Sequence, residues 1–175
     1  MSTTAIRSLS GVCPVQAASL AEMVMLVDRH DNITGSASKK DAHLMENIRK
    51  TGMLHRAFSV FLFNTRNELL VQQRSSDKIT FPNLYTNSCC SHPLASLENE
   101  RDPVSGIKEA AVRRMKHELG ITEVGVEDIT LLTRIVYFGS SCDTWGEHEL
   151  DHVLLVKKDI TVDGNPDEVK TVRYM

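Results

Sequence analysis

The chain has 175 residues, of which 41% are hydrophobic and 25% are charged, and its formal net charge is −3 at pH 7. Acidic and basic residues are interspersed, so the clustered basic face that binds nucleic acid is missing and no such partner is expected. The longest apolar runs, such as 23–27 and 153–156, fall far short of the roughly 20 residues that span a membrane, so we expect no membrane partner either.

The first twenty residues, MSTTAIRSLSGVCPVQAASL, are rich in hydroxyl side chains and contain no acidic residue. We expect a disordered tail over 1–20, with a weak organelle-targeting peptide as the alternative, and a single domain over 21–175. The four cysteines lack the even spacing of a secreted disulfide framework, which indicates a reducing compartment. The cytoplasm is therefore the expected location, and targeting to the peroxisome or another organelle stays open.

Short apolar runs bounded by turn residues predict the β-strands. The first, at 23–28, is followed by turn residues in HDNITG. The segments 57–64 and 68–74 are separated by three residues, which predicts a β-hairpin. Further strands are predicted at 130–139, at 149–158 and in the segment VKTVRYM.

One segment, PVSGIKEAAVRRMKHELG, predicts an amphipathic helix. Asp102 suits the N-cap, Pro103 the first helical position, and Gly120 a left-handed C-terminal residue. Residues four apart form a core stripe: Ile107, Ala111, Met115 and Leu119. The adjacent stripe consists of Ala110, Arg114 and Glu118. Strands with a packed helix predict an α+β fold built on a mixed sheet.

The segment WGEHELDHV begins the predicted strand 149–158, and side chains alternate between the two faces of a strand. Each face then carries its own set: Glu147, Glu149 and Asp151 on one, and His148, Leu150 and His152 on the other. Two carboxylates about 7 Å apart along a strand can bind one metal ion or act as acid and base. A solvated strand face is the alternative interpretation.

The stretch TNSCCSHP, residues 86–93, is open to four interpretations: a redox pair, half of a zinc site, a nucleophile or a structural turn. Its spacing is not that of CxxC, which argues against a thioredoxin-like pair. His92, with His43 and His55 at predicted loops and strand entries, completes a set of three imidazoles and two carboxylates that suits Mn²⁺ or Zn²⁺. Taken alone, each histidine is better interpreted as an ordinary hydrogen-bonded side chain than as a metal ligand.

The two cysteines of this stretch are expected to differ, because neighbouring side chains point in different directions. Cys89 is interpreted as a small buried hydrophobe. Cys90 would lie near a metal held by His92, and we expect this positive charge to lower the pKa of the thiol. A thiol that faces a glutamate across a pocket can deliver and remove a proton on opposite faces of a substrate. A structural role for Cys90 is the alternative.

Several basic residues suit an anion site, since Lys and Arg bind phosphate oxygens and Arg does so through two parallel bonds. These residues are Lys39, Arg74, Lys78 and Arg114. Glu118, one helical turn after Arg114, suits a Mg²⁺ ion that bridges to phosphate oxygens. Each of them is also consistent with a simple surface charge.

Three long segments resemble the type 1 isopentenyl-diphosphate Δ-isomerases of the Nudix superfamily: HLMENIRKTGMLHRAFSVFLFN, QQRSSDKITFPNLYTNSCCSHP and WGEHELDHVLLVKK. The similarity extends from about residue 20 to about residue 170. It implies a Nudix-like mixed sheet flanked by helices, in a monomer that acts on a small isoprenoid diphosphate. The implied reaction interconverts isopentenyl and dimethylallyl diphosphate through protonation and deprotonation.

The resemblance also implies roles for individual residues. Cys90 and Glu149 are the implied catalytic pair, and Tyr137 lies near the hydrocarbon end of the substrate. Glu118 is implied to bind Mg²⁺ together with the substrate diphosphate. The implied ligands of the Mn²⁺ or Zn²⁺ ion are His43, His55, His92, Glu147 and Glu149. The implied diphosphate contacts are Lys39, Arg74, Lys78, Ser91 and Arg114.

The chain departs from the family pattern at its C-terminal end, after the strand predicted in VKTVRYM. Family members usually continue with helices that supply a tryptophan to the pocket, whereas the single tryptophan here is Trp145. We therefore expect a C-terminally truncated isomerase whose activity as 175 residues is open. One alternative is a Nudix diphosphate hydrolase, although Ser105, Arg114 and His117 replace three of the acidic residues of its helix. The other is a weak remnant that binds isoprenoid diphosphate without turnover.

Overall fold

The computed structural model describes residues 14–175, which form four α-helices and nine β-strands in that range. The helices are α1 (Pro14–Ala21), α2 (Lys39–His43), α3 (Met45–Thr51) and α4 (Ser105–Leu119). The strands are β1 (Met23–Val27), β2 (Ile33–Ser38), β3 (His55–Phe63), β4 (Leu70–Arg74), β5 (Tyr85–Thr86), β6 (Cys89–Ser91), β7 (Ile129–Ser140), β8 (Gly146–Lys157) and β9 (Val169–Tyr174). No helix in this range is long and apolar enough to cross a membrane.

The strands form two sheets, and the larger one is mixed. Its order is β2-β1-β3-β8-β7, with β6 paired to β3 as well. The pairing of β3 with β8 is parallel, and its other strand pairs are antiparallel. The smaller sheet has the order β5-β4-β9 and is antiparallel. The predicted α+β fold with a mixed sheet is confirmed.

The register between β3 and β8 decides which side chains share a face of the large sheet. His55 lies opposite Glu149, and Tyr137 of β7 lies opposite Glu149 on the other side. Odd-numbered residues of these strands therefore share one face, because side chains alternate along each strand. The even-numbered residues contribute to a core that also includes α4: Phe58, Val60, Leu62, Leu154 and Val156.

Helix α4 confirms the predicted helix, but it begins later than predicted, because Val104 is the N-cap and both Asp102 and Pro103 precede the helix. Its predicted core stripe is completely buried, with every member at 0% exposure. The helix begins at Ser105, and the Asp102 carboxylate accepts hydrogen bonds from the backbone N–H of Val104 at 2.9 Å and of Ser105 at 2.7 Å. Gly120 ends the helix with φ of 66°, the left-handed conformation that glycine adopts without strain.

The predicted hairpin between 57–64 and 68–74 is wrong beyond its turn. Phe63 and Leu69 form an isolated bridge, after which β4 leaves β3 and joins the smaller sheet. The physical reason is that both edges of β3 are occupied, one by β8 and the other by β1 and β6. A segment predicted only as turn residues, HDNITG, also contains the start of β2.

Helix α1 lies within the segment expected to be a disordered tail. Gln16 and Leu20 are buried in it, and Gln16 Nε2 donates a hydrogen bond to the backbone oxygen of Asp167 at 3.3 Å. The disordered tail therefore does not extend to residue 20. The rest of that expectation concerns residues 1–13, which lie outside the described residues.

Candidate active site and metal centre

A cavity of about 420 Å³ lies against the odd-numbered face of β3 and β8. Its volume falls in the range of small-molecule sites. Helices α1 and α2, strand β7 and the segment 74–87 supply further walls. The predicted site residues that line it are Lys39, His43, Arg74, Lys78, Cys90, Ser91, His92, Tyr137, Glu147 and Glu149.

Three histidines and one glutamate converge at one end of the cavity. The Nε2 atoms of His43, His55 and His92 lie 3.8, 3.2 and 2.9 Å from Oε1 of Glu149. The ligand atoms of these four side chains all lie within 4.8 Å of one another, and all four residues are buried. They come from α2, β3, β8 and the residue after β6, so only the folded chain brings them together.

The donor set fits a divalent cation. His43 Nδ1 lies 2.7 Å from the backbone oxygen of Lys39 and donates to it, which directs the lone pair of Nε2 into the cluster. The Nε2 atoms of His55 and His92 face each other at 3.3 Å. Three imidazole nitrogens and a carboxylate oxygen around one point can hold a divalent metal ion.

The protonation states also favour metal binding. Burial lowers the pKa of His92 to about 4 and holds the pKa of His43 well below its usual value, so both imidazoles are neutral. Burial alone would raise the pKa of Glu149, but hydrogen bonds from His55 and His92 hold it well below its usual value. Neutral imidazoles and an ionised carboxylate are the forms that bind metal ions.

The fifth predicted ligand, Glu147, is not part of this group. The hydroxyl of Tyr137 lies 2.9 Å from Oε2 of Glu147 and 2.6 Å from Oε2 of Glu149. Burial, and then the charge of Glu149, raise the pKa of Glu147. A phenol has one proton, so the Tyr137 hydroxyl donates to one of these two carboxylates at a time. Metal ligation by Glu147 stays a prediction.

Cys90 lies in the cavity wall, and its thiol is held by Asn87. Cys90 Sγ lies 2.7 Å from Oδ1 of Asn87 and 3.5 Å from Oγ of Ser59. Asn87 Nδ2 donates to the backbone oxygens of Val60 at 2.9 Å and Cys89 at 3.2 Å, which fixes the orientation of the amide. The thiol therefore has a defined direction within the cavity.

The expected lowering of the Cys90 pKa requires the charge of a metal ion at His92 and stays a prediction, whereas the protein groups alone have the opposite effect. Burial raises the pKa of the thiol to about 11, and the charge of Asp151 adds to this effect. Cys89 is completely buried and belongs to the core, which confirms its interpretation as a small hydrophobe. The thiol of Cys90 is thus the protonated form, because a thiolate is poorly solvated in a buried wall.

Sequence reasoning missed two residues that organise the thiol, Asn87 and Ser59. Asn87 belongs to the stretch TNSCCSHP, three residues before Cys90. Its side-chain amide could have been identified there as a hydrogen-bond partner for the thiol. Ser59 is a polar residue at a cavity-facing position within the apolar run AFSVFLF of β3, and this interruption of the run was also visible in the sequence. Asp151 was placed on the correct face, and it lines the cavity with Glu147 and Glu149.

The predicted anion-site residues separate into two groups. Lys39, Arg74 and Lys78 line the cavity, whereas Arg114 and Glu118 lie behind its wall. Arg114 Nη2 donates to Oε1 of Glu118 at 2.5 Å. Although burial raises the pKa of Glu118, the charges of Arg114 and Lys78 lower it below its usual value. Burial, and then repulsion from Lys78 and Arg114, lower the pKa of Lys39 to about 8.

Comparison with known proteins identifies the class of this domain. The family model described as NUDIX domain matches residues 53–175. The crystal structure of DR0079 from Deinococcus radiodurans superimposes with a TM-score of 0.58 at 20% identity, covering 88% of this chain and 83% of that chain. The fold is therefore that of a Nudix domain, here with a buried cluster of three histidines and a glutamate.

The sequence relatives specify the family further. Isopentenyl-diphosphate Delta-isomerase 1 of Bos taurus is 54% identical over 159 residues, which cover 89% of this chain and 70% of that protein. Isopentenyl-diphosphate delta-isomerase IDI1 of Gibberella zeae is 48% identical over 181 residues, covering 98% of this chain and 70% of that protein. The chain belongs to the isopentenyl-diphosphate Delta-isomerase family.

Proposed function

We propose that this chain interconverts isopentenyl diphosphate and dimethylallyl diphosphate, a step of isoprenoid biosynthesis. The observation that carries the proposal is the cavity itself, which joins a thiol, a carboxylate–phenol pair and a wall of basic side chains. Cys90, Glu149 and Tyr137 line the same cavity as Lys39 and Lys78. The membership of the isomerase family supports the same reaction.

The reaction moves a proton between two carbons without changing the composition of the substrate. One proton is added to the terminal alkene carbon, and another leaves the carbon next to the CH₂ group that bears the diphosphate. Two acid–base groups are needed, and they must reach different carbons of the bound hydrocarbon. We assign these roles to Cys90 and Glu149, because the reaction is reversible and each group must both give and accept a proton. Tyr137 donates a hydrogen bond to Glu149 and orients it.

The transition state carries positive charge on carbon, and the cavity has features that stabilise it. Aromatic rings of Phe61, Phe81, Tyr85 and Tyr137 line the cavity. The π face of a ring attracts a cation by about 2 kcal/mol or more when water is excluded. Exclusion of water from the cationic carbon on substrate binding would prevent its hydration.

The diphosphate is assigned to the basic end of the cavity. Lys39, Arg74 and Lys78 lie in its wall, and Ser91 lines it as well. Arg114, behind the wall, contributes its charge rather than an exposed guanidinium. Mg²⁺ is assigned to the substrate diphosphate, whose oxygens it prefers together with one or two carboxylates. Glu118 is the carboxylate that the family resemblance implies, but it does not line the cavity and is paired with Arg114, so its ligation stays a prediction.

A Zn²⁺ or Mn²⁺ ion is assigned to His43, His55, His92 and Glu149, with Glu147 as the fifth ligand. Such an ion would supply positive charge that holds the Glu149 carboxylate in place and favours its ionised form. Oε2 of Glu149 still accepts the Tyr137 hydrogen bond, while Oε1 faces the three histidines. The carboxylate thus serves both the metal cluster and the reacting end of the cavity.

The test is deuterium incorporation from heavy water into isopentenyl diphosphate, followed by NMR with Mg²⁺ and either Zn²⁺ or Mn²⁺. We expect deuterated dimethylallyl diphosphate from the chain, and loss of both exchange and product in Cys90→Ala and Glu149→Gln. Cys142→Ala is the matched control for the thiol, since Cys142 is exposed. Near-native turnover in either site variant contradicts the mechanism. Release of phosphate instead of exchange would indicate a hydrolase, and binding of the substrate without either would indicate a remnant.

Two further expectations concern the oligomeric state and the location in the cell. The enzyme is expected to be a monomer, which light scattering in solution tests. It is also expected in the cytoplasm, which fractionation of cells tests.

A further inference from the structure

Glu168 lies just before β9, and its side chain is only 2% exposed. Three basic side chains contact its carboxylate. Lys78 Nζ donates to Oε2, while Arg114 Nη2 and His117 Nε2 each lie 3.4 Å from Oε1. A buried carboxylate with these contacts acts as a counterion to Lys78 and Arg114, which would otherwise repel each other.

The backbone of Glu168 also holds the turn that carries two cavity cations. The backbone N–H of Ser75 donates to the backbone oxygen of Glu168 at 3.0 Å, and Lys78 N–H donates to the oxygen of Ser75 at 3.3 Å. Glu168 N–H donates in turn to the oxygen of Asn165 at 3.0 Å. One residue therefore contacts the turn that follows Arg74 near both of its ends.

We infer that Glu168 is a positioning residue that holds Lys78 and the 74–78 turn in the geometry that binds the diphosphate of the substrate. The inference rests on the proposed function. Glu168 does not line the cavity, so it acts through Lys78 and not by contact with the substrate.

The effect of removing the Glu168 charge follows from the surrounding cations. Arg114 would keep Glu118 as a buried counterion, whereas the ammonium of Lys78, 9% exposed at its side chain, would lose its partner. A buried ammonium without a partner moves towards solvent or loses its proton. Either change weakens a contact to the diphosphate. Removing the Glu168 charge also removes its repulsion of the diphosphate, which would strengthen binding. A decrease in diphosphate affinity therefore indicates the positioning role, and an increase indicates that repulsion dominates.

The first measurement is calorimetric binding of inorganic pyrophosphate with Mg²⁺ to the wild-type chain and to Glu168→Gln. We expect about tenfold weaker binding in the variant, equal to about 1.4 kcal/mol. With isopentenyl diphosphate, KM should rise about tenfold while kcat changes less than about twofold, because a contact made equally in the ground and transition states affects KM. A merely structural role would reduce the folded fraction, and hence kcat, without changing KM.

Two further variants complete the design. Glu98→Gln is the matched control, because the Glu98 side chain is 88% exposed and its ionic contact is with Arg101 at the surface. Glu168→Asp keeps the charge but shortens the side chain, and an intermediate loss of pyrophosphate affinity is expected. If Glu168→Gln does not fold, the pyrophosphate affinity of Glu168→Asp is the test, and an affinity equal to that of the wild-type chain overturns the inference.

Unchanged or tighter pyrophosphate binding by folded Glu168→Gln also overturns it. Pyrophosphate binding requires no turnover, so the two proposals fail separately. Weaker binding in a chain that does not isomerise the substrate supports Glu168 as the organiser of an anion site and refutes the proposed reaction. Isomerisation with unchanged pyrophosphate affinity in the variant refutes the role of Glu168 alone.

Discussion

Replacement of Asp31 by asparagine removes the charge at the centre of a buried ion cluster away from the cavity. The Asp31 carboxylate accepts from Arg56 Nε at 2.7 Å, His152 Nε2 at 3.0 Å and Arg134 Nη1 at 3.2 Å. The side chains of Asp31, Arg56 and His152 are 2%, 1% and 0% exposed. Asp31 has φ of 75°, a conformation that asparagine also adopts, so the substitution isolates the charge from backbone strain.

The expected loss of stability is large, because the buried guanidinium of Arg56 remains without its anionic partner. Removing one member of a buried ion pair costs about 3–5 kcal/mol. Arg56 retains hydrogen bonds to the backbone oxygens of Asp31 at 2.8 Å and Arg101 at 2.6 Å, which favours the lower end. We therefore expect a decrease of about 3 kcal/mol in the free energy of unfolding. For a chain of this length, this lowers Tm by about 6–12 °C.

Urea and thermal unfolding at pH 7 measure this change directly. Asp28→Asn is the control, because Asp28 lies in the same turn at the surface and accepts hydrogen bonds from His30 and Asn32 that asparagine can also accept. The control should lose less than about 1 kcal/mol. A decrease below about 0.5 kcal/mol in Asp31→Asn would refute the assignment of a stabilising buried charge.

The same cluster predicts a pH dependence. Burial raises the pKa of Asp31, but hydrogen bonds from His152 and Arg56 outweigh it and lower the pKa below its usual value. A carboxyl group whose pKa is lower in the folded state stabilises the fold above its unfolded pKa of about 3.9. The stability difference between wild type and Asp31→Asn should thus be complete above about pH 5 and shrink as the pH falls through the folded pKa. Unfolding measured across this range tests the sign.

Two other predictions concern packing and metal binding. Gly106→Ala should lower the free energy of unfolding by about 1–3 kcal/mol, because its Cβ would lie 2.5 Å from the carbonyl carbon of Glu100. The control Gly35→Ala, whose Cβ would have nothing within 4 Å, should lower it by less than about 1 kcal/mol. Equal decreases for the two variants in chemical denaturation would contradict the packing argument. After chelation, Zn²⁺ or Mn²⁺ at about 100 times its Kd should restore about 2.7 kcal/mol of stability. The same metal concentration should have little effect on His92→Gln, and a full gain there would exclude His92 as a ligand.

Features that depend on residues close in the sequence were predictable. The four-residue spacing of helix α4 identified its buried stripe, because the helical repeat alone decides which side chains share a face. The alternation along β8 placed Glu147 and Glu149 on one face, which is the cavity face, for the same kind of local reason. By contrast, the burial that raises the pKa of the Cys90 thiol depends on distant elements, and adjacent residues do not reveal it.

The sequence by itself determined the periodic elements, the candidate donors and the family resemblance. The tertiary structure decided which donors meet. It brought His43, His55 and His92 to Oε1 of Glu149, left Glu147 with Tyr137, and placed Arg114 behind the cavity wall with Glu118. It also separated β4 from β3 and placed the β9 segment against the turn at 74–78. The physical reason is that strand order and register bring together residues far apart in the chain, and the periodicity of a single segment carries no information about its neighbours.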